Sequence, residues 1–442
     1  MKRAWKWIGA AGLAVALLAG NNIAKTWAAP QDAAAKPAYT LPEYNAYQAA
    51  AAEKDPQAKV KALDDFVSKY PMSALLPYAY RDYYVANYQL KNYPQTLVYV
   101  DKLLALGDKI DIGTRIQSLA VRAQVYMLAS SDKTLQTPEA FTKARDASAQ
   151  GLQTLETWQK PANASDEDYA KQKKAMGMLF NTVGGMTAAG LKDFKGSATY
   201  YKAALAIDPT DALTHYRLGI AYLQDMPPQV QDGYWEVSRA VALKVPGADQ
   251  VKAYLRNQVL RYQQPSCDML VDDEINNLTT LAASSADRPA TLTIPSAEDL
   301  KKAQEDTANF IPWLQEGGDH GKVMWLATCG SEYPDVGVKV IEAKAPDGDN
   351  VTLEVYSPIA SDPDAAAKEM EAATTPNMEV QVMGQPEAKR VMKDDEVRFT
   401  GTLKAYSQSP FLLTWVNAKV NAEDIGPEKP APGAKRKTLP KK

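Results

Sequence analysis

The chain has 442 residues, 45% of them hydrophobic and 23% charged, with a formal net charge of −3 and a pI near 5.7. That length holds two or three domains, and the charge gives no general attraction to nucleic acid, so such a role would need a local basic and aromatic motif that the sequence lacks. With two histidines and two cysteines in the whole chain, a metal site built from these residues is all but excluded by number.

Lys2, Arg3 and Lys6 precede an apolar run from Ile8 to Gly20 and small residues around Thr26–Ala29. This reads as a secretory signal peptide over 1–28, cleaved near Ala28. The run falls short of the roughly 20 apolar residues a membrane span needs. No cysteine follows it to carry a lipid, and no second span appears. The expectation is an exported chain, periplasmic or extracellular, with no membrane span after cleavage. Residues 29–42 are Ala- and Pro-rich and read as a flexible N-terminus.

From 43 to 263 apolar residues recur at helical spacing between short turns. Helices are expected at 43–54 and 57–70, 74–90 and 94–106, 112–130 and 138–158, 166–190 and 194–207, then 211 onward, 232–244 and 248–263. In KALDDFVSKYP, Leu63, Phe66, Val67 and Tyr70 share one face before Pro71 stops the helix. Tyr80, Tyr84 and Tyr88 recur every four residues and fit the space between helices, leaving Tyr78 and Tyr83 as groove-facing candidates. The clearest stretch is Gly177–Leu223. Counting back from Pro209, Ala204, Tyr201 and Ser197 fall five, eight and twelve residues earlier. Gly184 and Gly185 lie on the preceding helix, and 34 residues beyond them stand Leu218 and Gly219, followed by Tyr222.

This period and these small residues resemble the tetratricopeptide repeat (TPR), in which paired antiparallel helices stack into an α-solenoid. The resemblance implies a scaffold that holds a protein or an extended peptide on a concave face lined by the first helix of each pair. It nominates Thr182 and Met186, Leu213, Tyr216 and Ile220, and Tyr78 with Asp82. Family members that grip a C-terminal carboxylate place Lys, Asn and Arg at such positions; here they are mostly apolar, with Arg217 the one cation nearby, so an apolar or extended polypeptide fits better. Packing against a neighbouring helix is the other reading of the same residues. His215 occupies a repeat position often held by an aromatic, which implies packing.

Residues 264–322 read as a helical linker, with a short helix at 272–283 and another from Ser296, capped through Asp299, to about 311, where Pro312 bends or ends it. Beyond it the period becomes two. VGVKVIEAK, NVTLEVYS, NMEVQVMG, EVRFTGTLKAY and FLLTWVNAKV make a five-stranded β domain within 323–424, a small antiparallel barrel or sandwich. The run from Asp394 to Val420 resembles the closing strands of an oligonucleotide/oligosaccharide-binding (OB) fold, with Gly401 at a bulge or bend. In that fold the helix lies between strands three and four; PDAAAKEMEAA falls between the second and third unless an earlier strand exists at VMWLATC. An OB-like face and the tyrosines together suggest an alternative role in holding glycan or another cell-envelope polymer. The tail, 425–442, is basic and Pro-rich and reads as disordered.

Cys267 and Cys329 flank the expected domain boundary; in an oxidising compartment they pair and staple the two parts, or remain two thiols. No catalytic constellation converges. His320 in GGDHGK has Asp319 beside it and no further partner in the sequence, the glycines lack phosphate-loop spacing, and the acidic runs 272–274 and 394–396 read as a helix start and a turn before a strand. Neither an enzyme nor a cofactor is expected.

Overall fold

The computed structural model describes residues 38–128, 137–162, 164–265, 267–360 and 362–427. The signal peptide, most of the N-terminal segment and most of the basic tail lie outside the described residues. Two compact units are present, one within 1–252 and 279–288, the other within 253–278 and 289–442. The segment 253–278 therefore belongs with the β domain rather than wholly with the helical array or a linker.

The first unit is a solenoid-like series of helical hairpins: α1 (Leu41–Ala52) with α2 (Pro56–Lys69), α3 (Leu76–Gln89) with α4 (Tyr93–Leu104), α5 (Ile112–Leu128) with α6 (Pro138–Thr157), α7 (Asp166–Gly190) with α8 (Phe194–Ile207), and α9 (Ala212–Gln224) with α10 (Val230–Ala242). Local chemistry sets the helix starts. Asp55, Asn92, Thr137, Ser165, Asp193 and Asp211 each accept a hydrogen bond from the first-turn amides of the helix they precede. Three turns share one closure. Lys91, Lys192 and Lys244 have φ of 57°, 62° and 60°, and the next residue's N–H reaches back to the carbonyls of Asn87, Ala188 and Ala240, which satisfies the helix's last carbonyls.

Close helix approach follows from small residues. A Cβ on Gly219 of α9 would lie 2.8 Å from the Gly233 carbonyl oxygen and 2.9 Å from the Val237 nitrogen of α10. Gly184 and Gly185 of α7 seat the Tyr200 and Tyr201 rings of α8, and Ser197 Oγ donates across the pair to the Gly185 carbonyl at 2.8 Å. Cores pass from hairpin to hairpin: Leu63, Phe66, Ala79 and Tyr83, then Tyr84, Leu103, Val121 and Val125. Ile116, Ala144, Leu179 and Phe180 come next, then Ala198, Tyr201, Leu218 and Tyr222. A lone hairpin could not bury its apolar side. In MPPQVQDG the sequence carries a two-residue insertion, after which the small and apolar residues of the repeat are expected at Gly233, Val237 and Ala240; all three are buried in α10.

Helix α11 (Ala248–Gln263) and α12 (Met269–Ser284) follow. The helix expected from Ser296 to 311 is divided. Capped reciprocally by Ser296 and Asp299, α13 ends at Glu305, and Pro312 sits in the first turn of α14 (Phe310–Glu316), where a missing N–H costs nothing. VMWLATC is not a strand: it forms α15 (Gly318–Thr328).

The five expected strands are all present: β1 (Glu332–Ala343), β2 (Val351–Tyr356), β3 (Met378–Val382), β4 (Glu396–Gln408) and β5 (Phe411–Val420). They close a barrel in the order β1-β2-β3-β5-β4, which decides against a sandwich. All pairings are antiparallel except β3 with β5. Alternation puts Val351, Leu353 and Val355 inside and Thr352, Glu354 and Tyr356 partly in water. Register shifts at Gly401, as expected for a bulge, and its Cβ position lies 3.2 Å from the Phe399 ring. Helix α16 (Pro363–Ala372) lies between β2 and β3, with a short turn at Pro386–Arg390 between β3 and β4. The helix thus stays out of the usual OB position. Ile311, Leu314 and Met324, from α14 and α15, join Phe399, Leu403 and Trp415 in the barrel core. These helices belong to the barrel's unit, not to a free linker.

Candidate functional site

Helix α9 carries the most coherent face. Within it Thr214, His215, Arg217, Leu218, Gly219, Ala221 and Tyr222 are buried. What water partly reaches is Ala212, Leu213, Tyr216, Ile220 and Leu223, and only Gln224 is exposed. Leu213, Tyr216 and Ile220 recur at i, i+3 and i+7, so they form one stripe. No charge interrupts it. Arg217 points into the interior with 9% of its surface exposed, and burial pushes the Tyr216 phenol up from its ordinary value. The buried side of α9 is fixed by polar ties: His215 Nδ1 lies 2.6 Å from Glu236 Oε2 and its Nε2 3.0 Å from the Pro209 carbonyl. His215 is thus buried as expected, in a bridging role rather than as an apolar filler.

The other nominated residues divide. Met186 is half-buried and packs against the cluster of Tyr201, Leu218 and Tyr222, which ties it to the α8–α9 contact. Thr182 is fully buried, so a partner docking on the array does not reach it. On α3, Tyr78 is 42% exposed, with the Arg81 guanidinium 5.9 Å above its ring. Asp82 is already engaged: it accepts from Tyr47 Oη at 2.9 Å and pairs with Arg81 at 3.6 Å. Tyr83, expected to face a groove, is core. Its ring stacks on Tyr99 at 3.9 Å and its hydroxyl donates to Asp64 at 2.7 Å, a contact to the adjacent α4 and α2 that helical spacing alone does not reveal. Tyr84 is buried, while Tyr80 and Tyr88 are half-buried against neighbouring helices.

Two clefts among the described residues lie outside the expected ones, a larger one at Asp108, Ile112 and Arg115 and a second beside α9 and α10. The second, about 250 Å³ in size, is lined by Tyr222, Asp232, Trp235, Glu236, Asp287 and Arg288. The chain after α12 folds back to α10 there. Arg288 Nε donates to Asp232 Oδ1 at 2.9 Å, and Trp235 Nε1 donates to the Ala286 carbonyl at 3.4 Å. The partners are more than 50 residues apart in sequence, and no periodic signal joins them. With Asp232 and Glu236 paired to Arg288 and His215, the cleft reads as a polar seam of the fold.

Several other ionisable groups among the described residues are engaged in structural pairs. Asp272 forms a two-bond pair with Arg256, and Asp394 lies 3.5 Å from Lys339 in the turn before β4. The acidic runs thus stand at the helix start and the turn read from sequence. Burial pushes the Glu274 carboxyl up to about 7, against the lowering effect of its bond from Gln263 Nε2 at 2.7 Å. His320 is exposed and stacks on Trp313 at 5.0 Å. Among the described residues no group of three or more His, Cys, Asp or Glu side chains could hold a metal ion. Lys344 bridges Glu354 and Glu379 at 2.8 and 3.2 Å on the outer face of β2 and β3. No helix among the described residues is long and apolar enough to cross a membrane. No protein-family model, curated protein or solved structure matches the chain.

Proposed function

We propose that this chain is an exported, non-enzymatic scaffold or adaptor whose tetratricopeptide-type hairpins bind a protein partner, with the α9 stripe of Leu213, Tyr216 and Ile220 at the contact. The observation that carries this reading is the composition of that face: a helix whose buried side is fixed by polar ties leaves an uncharged, largely apolar stripe partly open to water. Contiguous apolar surface of this kind marks protein interaction sites. The ligand class follows from charge. Among the described residues of α9 the one cation, Arg217, is buried and not placed to clamp a terminal carboxylate, so the partner presents an extended or helical segment with apolar side chains. Export rests on the basic and apolar segment of residues 1–28.

The polymer-binding alternative is less supported. Most of the tyrosines of α3 are taken up by packing, and the outer β2–β3 face carries Glu354 and Glu379 around a single lysine.

A photo-crosslinking amino acid at position 216 tests the proposal. The expected outcome is one defined protein adduct in cell-envelope extracts, absent when the same group stands at Thr199, an exposed position on α8. Equal adducts at both positions, or adducts at neither, would count against the α9 face. Pelleting of the protein with purified cell-wall polymer would favour the alternative.

A further inference from the structure

The two cysteines are distant in sequence and adjacent in the fold. Cys329 ends α15, where its N–H donates to the Trp325 carbonyl at 2.9 Å. The chain just beyond is fixed to β4 by Gly330 N–H to the Leu403 carbonyl at 2.8 Å and by Leu403 N–H to the Ser331 carbonyl at 3.1 Å. Cys267 stands just before α12. There its carbonyl accepts from Leu270 N–H at 3.3 Å, and Leu270 packs against the buried cluster that includes Leu326 and Ala327 of α15. That packing carries Cys267 onto the end of α15. The Cys267 thiol lies close enough to the Cys329 thiol to perturb its ionisation. Arg256 holds the Cys267 segment from its other side: its guanidinium lies 3.7 Å from the Asp268 carboxylate and pairs with Asp272 at 2.6 Å. Both cysteines are free thiols, Cys329 buried and Cys267 half-buried. All these residues lie in the second unit. The bond expected to join the helical array to the β domain would therefore act inside the barrel's own unit.

We infer that Cys267 and Cys329 form an intramolecular disulfide that fastens the start of α12 to the turn between α15 and β1. Geometry orders the chemistry. Cys267 is the thiol a disulfide donor can reach. Burial first, and then the nearby Cys267 thiol, push the Cys329 thiol up to about 12, so it stays protonated and does not start the exchange. The Cys267 sulfur, giving up its proton, attacks one sulfur of the donor's S–S bond; that bond breaks, a mixed disulfide forms, and one donor thiol leaves. Cys329, losing its proton as it attacks the Cys267 sulfur, then forms the internal bond and expels the donor's second thiol. The two cysteines lose two electrons and two protons, and the donor disulfide gains them. The product closes a loop from 267 to 329. A bond of that span stabilises chiefly by restricting the unfolded chain.

The test uses the full chain incubated with glutathione disulfide, then denatured without reductant and treated with maleimide. The expected result is no labelling at either cysteine and a linked peptide containing both, which reductant separates. Reductant should also lower the Tm of the barrel's unit by about 10 °C and leave that of Cys267→Ser unchanged. The Cys267 variant serves here because Cys329 is buried and its replacement can unfold the barrel by itself. Labelling of both thiols after the glutathione treatment, a bond formed between chains, or a Tm indifferent to reductant would each overturn the inference.

Discussion

Replacing Gly219 by alanine is the sharpest probe of the hairpin packing. The added methyl would stand 2.7 Å from Val237 Cγ2, 2.8 Å from the Gly233 carbonyl oxygen and 2.9 Å from the Val237 nitrogen. Two of these three atoms belong to the backbone of α10, so no side-chain rotation relieves the clash and α9 must move away from α10. Because two of the contacts are with backbone, the overpacking cost falls at the upper end of the usual range, about 2–3 kcal/mol. Alanine returns about 1 kcal/mol through helix propensity. The net loss is about 1–2 kcal/mol, which for a unit of this size lowers Tm by about 2–8 °C. Gly177→Ala is the control. There the methyl meets only the Ile207 Cδ1 atom at 3.0 Å, the end of a flexible side chain, so the helix gain prevails and stability is unchanged or rises by up to about 1 kcal/mol. Thermal unfolding followed by far-ultraviolet circular dichroism compares the two. A Gly219 variant as stable as the Gly177 variant would refute the close approach of α9 and α10.

Further outcomes follow from the backbone and from burial. Lys192→Gly removes a non-glycine residue from φ of 62° and is expected to stabilise the array by about 1 kcal/mol, read from urea midpoints; Lys195→Gly, inside α8, should destabilise it by a similar amount. Glu274 gives a pH dependence of known sign. Its carboxyl titrates at about 7 in the fold against 4.5 in the free side chain, so the folded state holds the proton longer. The stability this proton confers is fully present below pH 4.5 and is lost as pH rises through 7. Discounted for the part of the side chain that water reaches, the loss is about 1–2 kcal/mol. Glu274→Gln should match the wild type at pH 4 and exceed it at pH 8; a parallel pH profile for the two would show that Glu274 is not the group responsible. Trp415→Ala empties the largest fully buried side chain of the barrel and should cost about 3–5 kcal/mol in the barrel's unfolding transition.

Much of this architecture was legible because local rules and packing agree. Helix α7 starts at Asp166 and ends at Gly190 as read, since Ser165 caps it and the Leu191–Lys192–Asp193 turn closes it. The Leu-Lys step recurs at 90–91, 191–192 and 243–244 with positive φ at each lysine, a local turn signal independent of the 34-residue period. The misreadings have physical causes. VMWLATC is a short apolar run, which periodicity cannot assign to helix or strand; its burial against α13 and α14 makes it helical. Pro312 reads as a stop, yet a proline in a first turn opposes nothing. Helical spacing leaves Tyr83 on an open face and the repeat resemblance does the same for Thr182, while the stacking of Tyr99 on Tyr83 and the full burial of Thr182 are long-range outcomes. Leu213, Tyr216 and Ile220 were legible as a stripe since one helix suffices to align them. The cleft at Trp235 and Arg288 was not, because its walls come from segments over 50 residues apart.

The central claim, that α9 presents the partner-binding face, is tested most directly by the affinity of the captured partner for Tyr216→Glu and Ile220→Lys measured against the wild type. The account predicts binding weakened at least about 30-fold for each, the scale of an interface anchor, with the array's helical signal and unfolding cooperativity retained. Affinity unchanged in both folded variants would contradict it.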